Sequence, residues 1–148
     1  MPSTHSSLQY HLVFSTKNRA PTIGGQWQPR LHEYLGGIIR SMDGISLVVG
    51  GVQDHVHLLV TLKPVHRLSD VLRDLKRSSS KWVHDELKQR EFAWQEGYGA
   101  FTVSRSNIPS VKRYIERQED HHRKRTFRDE YRELLRRHGV EFDERYLV

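Results

Sequence analysis

A chain of 148 residues is long enough for one domain with its own core, and residues 1–148 are expected to form one. The lack of cysteine excludes disulfides and thiolate metal sites, and the absence of a membrane-length apolar run or of a signal-peptide pattern in MPSTHSSLQYHLVF makes the cytoplasm the expected location. A net charge of +6 and a pI near 9.8 favour a polyanionic partner, nucleic acid before a membrane.

QYHLVFSTK (9–17) alternates as a first strand, with Tyr10, Leu12 and Phe14 on one face. After a loop containing Pro and Gly, Leu31, Leu35, Ile38 and Ile39 recur at helical spacing over about Gln28 to Ser41, with Gly36-Gly37 weakening that helix. Gly44 opens a second strand, ISLVVGGV, and Asp54 starts a third. The short link between them predicts an antiparallel hairpin. Beyond Lys63-Pro64 a long helix is predicted, with Ser69 as N-cap and Asp70 at the positive end of the helix dipole. Leu68, Val71, Leu72, Leu75, Trp82 and Val83 supply its apolar positions.

GYGAFTVS (97–104) reads as a fourth strand. A helix then runs from Ile108 to about His122, with Pro109 early, where its missing N–H costs nothing. A last helix, FRDEYRELLRRHG, closes on Gly139 as its C′ residue. Strand, helix, strand, strand, helix, strand describes an α+β fold. The expected layout is a ferredoxin-like or RRM-like antiparallel sheet with helices on one face, followed by C-terminal helices.

The third strand, in GGVQDHVHLLVTL, sets two histidines into an apolar run. Strand alternation places His55 and His57 on one face and Val56, Leu58 and Val60 on the other. Three readings compete: sheet histidines that pair with backbone groups, a metal-binding pair, or an acid–base pair in which one imidazole orients the other. In VKRYIERQEDHHRKR (111–125), Tyr114 and Gln118 lie one helical turn apart with His121 near the same line, flanked by Lys112, Arg113, Arg117, Arg123, Lys124 and Arg125. A solvated basic helix with one inward-packed tyrosine would show the same pattern. Positive charge also gathers over residues 63–90, where Arg73, Lys76, Arg77 and Lys81 suit a phosphate-binding face. Trp82 is available for stacking on a base or for the core, and its spacing from Leu75 and Val83 favours the core.

YHLVFSTKNR, DHVHLL, LKRSSSKW, EGYGAFTVS, VKRYIERQ and the tail HGVEFDERYL together resemble the single-tyrosine HUH transposases of small insertion sequences, the IS200-like family, from about residue 8 onward. The resemblance implies that His55, His57 and Gln118 bind Mg²⁺ or Mn²⁺ and that Tyr114 is the nucleophile, with Tyr131 the next candidate. His121 and His122 lie outside the ligand pattern and are left as possible DNA contacts. It further implies single-stranded DNA with a hairpin as substrate. The expected assembly is a homodimer in which the tyrosine helix of one subunit completes the partner's site. Lys17, Arg105, Lys112 and Arg113 join the helix cations as expected DNA contacts. An amide as third ligand leaves the ion's charge undiminished, and the ion and nearby cations are expected to favour phenolate. No phosphate loop of the Gly-x-x-x-x-Gly-Lys-Ser/Thr type is present, in keeping with a reaction that needs no ATP. The competing functions are an RRM-like binding module, a metal hydrolase using activated water, and a domesticated relative that processes chromosomal repeats.

Overall fold

The computed structural model describes residues 3–147. Strands β1 (Leu8–Ser15), β2 (Ile45–Val52), β3 (His55–Leu62) and β4 (Gly99–Val103) form one antiparallel sheet in the order β2-β3-β1-β4. Helices α1 (Gln28–Ser41) and α2 (Leu68–Glu86) make the two crossovers, which gives the expected ferredoxin-like α+β arrangement. The β2–β3 hairpin forms as expected, and β3 sits in the interior of the sheet between β2 and β1.

Leu12 and Phe14 of β1 and Val56, Leu58, Val60 and Leu62 of β3 pack against Leu31, Leu35 and Ile39 of α1 and Val71, Leu72, Leu75 and Val83 of α2. Burying this face on both crossovers is what fixes the register, since a slip of one residue would send the histidines into that core. The opposite face is covered as well. Val13 and Phe101 pack under α5 (Phe127–Arg137), and Leu59 and Val103 pack under α3 (Ile108–Glu116). The C-terminal helices therefore form a third layer, and the sheet has helices on both faces, because its second face carries apolar side chains that water alone would cover.

Several predicted boundaries move. The long helix starts one residue before Ser69 and takes Arg67 as its N-cap without a side-chain bond. The first strand ends at Ser15 and the fourth spans only Gly99–Val103. The helix predicted to run to His122 breaks at Arg117 (φ −103°, ψ 25°), whose N–H is shared between the carbonyls of Arg113 and Tyr114. A short helix α4 (Gln118–His122) follows the break. Helix α5 begins at a Thr126 cap that accepts from the Asp129 N–H and is followed by Gly139 at φ +66°.

Candidate active site

β3 delivers His55 and His57 to the α3–α5 face, where both are fully buried. α3 crosses above them at Gly50 and brings the Tyr114 ring to 5.8 Å from that of His57. The break at Arg117 turns α4 so that Gln118 Oε1 lies 3.0 Å from His55 Nε2. Tyr114, Gln118, His55 and His57, singled out on two distant segments, meet in one chain. The tyrosine helix thus packs on its own chain's histidines.

Two residues join them that sequence reasoning did not place there. Glu130, in the first turn of α5, is 1% exposed. Its Oε1 lies 3.2 Å from His55 Nε2, 3.1 Å from His57 Nε2 and 3.0 Å from His122 Nε2. Its Oε2 accepts from the Tyr114 hydroxyl and from Gln118 Nε2. His122, four residues after Gln118 on α4, presents the same helix face. Both residues carry weak signals in the chain. Phe127, Glu130 and Leu134 stand at i, i+3 and i+7, so the glutamate falls on the apolar stripe of α5.

The outer ring nitrogens are held in turn. His55 Nδ1 lies 2.7 Å from Asp54 Oδ1, His57 Nδ1 lies 2.7 Å from His11 Nε2, and His122 Nδ1 lies 2.8 Å from the Arg125 carbonyl. Burial disfavours charge on His55, but hydrogen bonds to Asp54 and Glu130 overcome it and raise the pKa to about 9. His57, more completely desolvated, falls to about 4. Burial and then the adjacent Glu130 carboxylate push the Tyr114 phenol well above its ordinary range, with Gln118 and then Arg125 opposing. The protein alone therefore disfavours phenolate. Bonds from the surrounding histidines outweigh burial at Glu130 and keep it ionised.

His55, His57, His122 and Glu130 each offer one ligand atom, all within 4.8 Å of one another, a buried set of nitrogen and oxygen donors that can hold a divalent ion. The expectation of a third ligand without charge meets a carboxylate in the same pocket.

The expected DNA contacts divide between layers. Lys112 and Arg113 project from α3, and Arg113 lines a cleft of about 520 Å³ with Tyr114 and His121. Arg105 follows β4 and Lys17 follows β1, both exposed. Arg73, Arg77 and Lys81 are exposed on α2, across the sheet from the histidines. Arg73 is paired with Asp70 and Asp74, and Lys81 with Asp85. Lys76 is half-buried, donating to the carbonyls of Gln95 and Gly97. An open cleft of about 950 Å³ beside Asp54 and His122 is edged by Arg19, Arg123, Lys124 and Arg125, the last three from the basic run after the tyrosine. Trp82 packs against the α1–α2 core with its ring stacked on Tyr34. No helix among the described residues is long and apolar enough to cross a membrane.

Known proteins share this framework. The ISDra2 transposase TnpA of Deinococcus radiodurans is 29% identical over 120 residues, covering 76% of this chain and 85% of that protein. The transposase of insertion sequence IS200 from Salmonella typhimurium is 26% identical over 122 residues, 78% of this chain and 79% of its own. A crystal structure of a candidate transposase from Deinococcus radiodurans superposes with a TM-score of 0.65 at 27% identity, covering 80% of this chain and 95% of that one. A REP-associated tyrosine transposase bound to a REP hairpin shares the fold, with a TM-score of 0.60 at 13% identity over 82% of this chain and 74% of that one. The family model for IS200-like transposases matches residues 4–118, from ahead of β1 to the glutamine beside His55, and the chain belongs to that family of DNA-cutting, strand-transferring enzymes.

Proposed function

We propose that the protein cleaves and rejoins single-stranded DNA through a covalent 5′-phosphotyrosine on Tyr114. The observation that carries this reading is the convergence of Tyr114 and Gln118 with His55 and His57 on one face of the sheet, within one chain. His55, His57 and Gln118 would hold Mg²⁺ or Mn²⁺. Such an ion, when bound, withdraws charge from a non-bridging phosphate oxygen and offsets the carboxylate that disfavours phenolate.

The remaining work belongs to the side chains. The Glu130 carboxylate accepts the Tyr114 hydroxyl and so aims the phenol oxygen into the pocket. The bond from phosphorus to Tyr114 Oη forms as the bond to the 3′ oxygen breaks; the phenol proton passes along its hydrogen bond to Glu130 Oε2, and the departing 3′ oxygen takes up a proton to become a free 3′-hydroxyl. The phosphotyrosine ester retains the energy of the broken linkage, and a 3′-hydroxyl can reverse the step without ATP. A flexible single strand suits the open basic clefts on either side of Tyr114 and His122. The hairpin carried by the REP-associated neighbour supports a hairpin near the cut as the recognised feature, and a homodimer is the proposed assembly.

The test is incubation of wild type and Tyr114→Phe with single-stranded hairpin fragments and Mg²⁺, resolved on a denaturing gel. Wild type gives a shifted covalent band, and Tyr114→Phe gives none while still binding the hairpin. An adduct in the Phe variant would move the nucleophile elsewhere, with Tyr131 the next residue to change. Free 5′-phosphate without adduct would mark a metal hydrolase, and binding without nicking an RRM-like module.

A further inference from the structure

We propose that Glu130 and His122 are themselves ligands of the ion, so that its coordination set draws on β3, α4 and α5. The inference rests on the metal reading above. Its first support is a mismatch of hydrogen-bonding roles. The Nδ1 of His55 faces the Asp54 carboxylate and the Nδ1 of His122 faces the Arg125 carbonyl, both of which can only accept. Each ring must therefore place its N–H there, and in the neutral tautomer its Nε2 lone pair points inward. Yet Glu130 Oε1 stands 3.2 Å from the first and 3.0 Å from the second, and Gln118 Oε1 stands 3.0 Å from the first. Donors of this kind facing one another need a proton or a metal cation between them, and a divalent ion would replace the proton that otherwise bridges His55 and Glu130. The outer contacts to a carboxylate and a carbonyl are those that orient metal-ligating imidazoles.

A second support is charge. Glu130 is buried, and its salt-bridge partners among the described residues are His55, His57, His121 and His122, with no lysine or arginine. A buried carboxylate needs a compensating cation, and a divalent ion held by neutral donors alone would leave two uncompensated charges in the same pocket. Each resolves the other. A third is placement: the Thr126 cap and the packing of Leu134 and Leu135 with Val13, Phe101 and Leu147 seat α5 through side chains outside the site, so the carboxylate is presented by the scaffold. With Oε1 on the ion and Oε2 on Tyr114, one side chain would tie the nucleophile to the cation.

The experiment is titration of the full chain with Mn²⁺ alone, followed by calorimetry and by the electron paramagnetic resonance signal of free Mn²⁺, for wild type, Glu130→Gln, His122→Asn and His57→Ala. Glu130→Gln and His122→Asn are each expected to weaken Mn²⁺ binding by about tenfold or more. Circular dichroism identifies any variant that fails to fold, and the other then decides. Affinity within about twofold of wild type in a folded Glu130→Gln or His122→Asn overturns the inference. His57→Ala separates the two levels. If it loses Mn²⁺ while Glu130→Gln keeps it, this inference alone fails; if all the variants bind as wild type does, the metal reading fails with it.

Discussion

His32 lies on α1 with Nε2 buried and without a hydrogen-bond partner, and burial lowers its pKa to about 4. The folded chain thus holds this ring neutral, while an unfolded chain protonates it near 6.5. Its contribution is present above that value and is lost as pH falls toward 4, by at most about 3 kcal/mol. His32→Leu should therefore gain stability relative to wild type as pH drops from 7 to 4.5, read from urea denaturation at each pH. A difference that stays constant across that range would show that His32 does not titrate against the fold. At the same scale, the histidine pair and the tyrosine–glutamine pair were legible because period-2 and i,i+4 spacing each identify a face. Glu130 was not, since it stands among Arg128, Asp129, Arg132 and Glu133, which read as a solvated surface. Its spacing from Phe127 and Leu134 marks an inward face, but that this face docks over the histidines is not encoded within one helix.

Among the elements, α3 is seated by a missing side chain. A Cβ at Gly50 would stand 2.3 Å from the Ile115 carbonyl oxygen and 2.8 Å from Ile115 Cγ2, so only glycine lets the helix backbone lie this close to β2. Gly50→Ala should cost about 1–3 kcal/mol in urea denaturation and reduce adduct formation, because relief comes from lifting α3 and Tyr114 with it. Unchanged stability would show that the helix is not clamped there. This close approach could not be read from GGV alone, where the glycines look like hairpin punctuation. The helix break at Arg117 was equally hidden, because nothing in YIERQED interrupts helical propensity. The outline of α1, β2 and the hairpin was visible because turn residues bound each of them.

Across the whole molecule, the layers separate two groups of cations. Arg113 and the Arg123–Arg125 run border the clefts by Tyr114 and His122, while Arg73, Arg77 and Lys81 lie beyond the sheet on α2. For an unstructured single strand, Arg113→Ala should flatten the dependence of log affinity on log salt by about 0.7, the share of one phosphate contact. Arg77→Ala should leave that slope unchanged. Fluorescence anisotropy over a salt series measures both, and equal slopes for the two variants would mean that the strand does not follow the tyrosine face. The ferredoxin-like order was readable from element sequence alone. The layer on which each cation falls was not, since a linear run of charge carries no information about which side of a sheet its helix covers.

The carboxylate at the centre of the pocket follows the phenol in the chain, and that order has a consequence for synthesis. A ribosome releases the imidazoles first, then the tyrosine, and Glu130 only afterwards. Until α5 emerges and docks, the nascent polypeptide carries its phenol without the group that restrains it and its histidines without a lid. A product terminated between residues 119 and 126 would retain the family-matched span, 4–118, yet lack the part that closes the cavity.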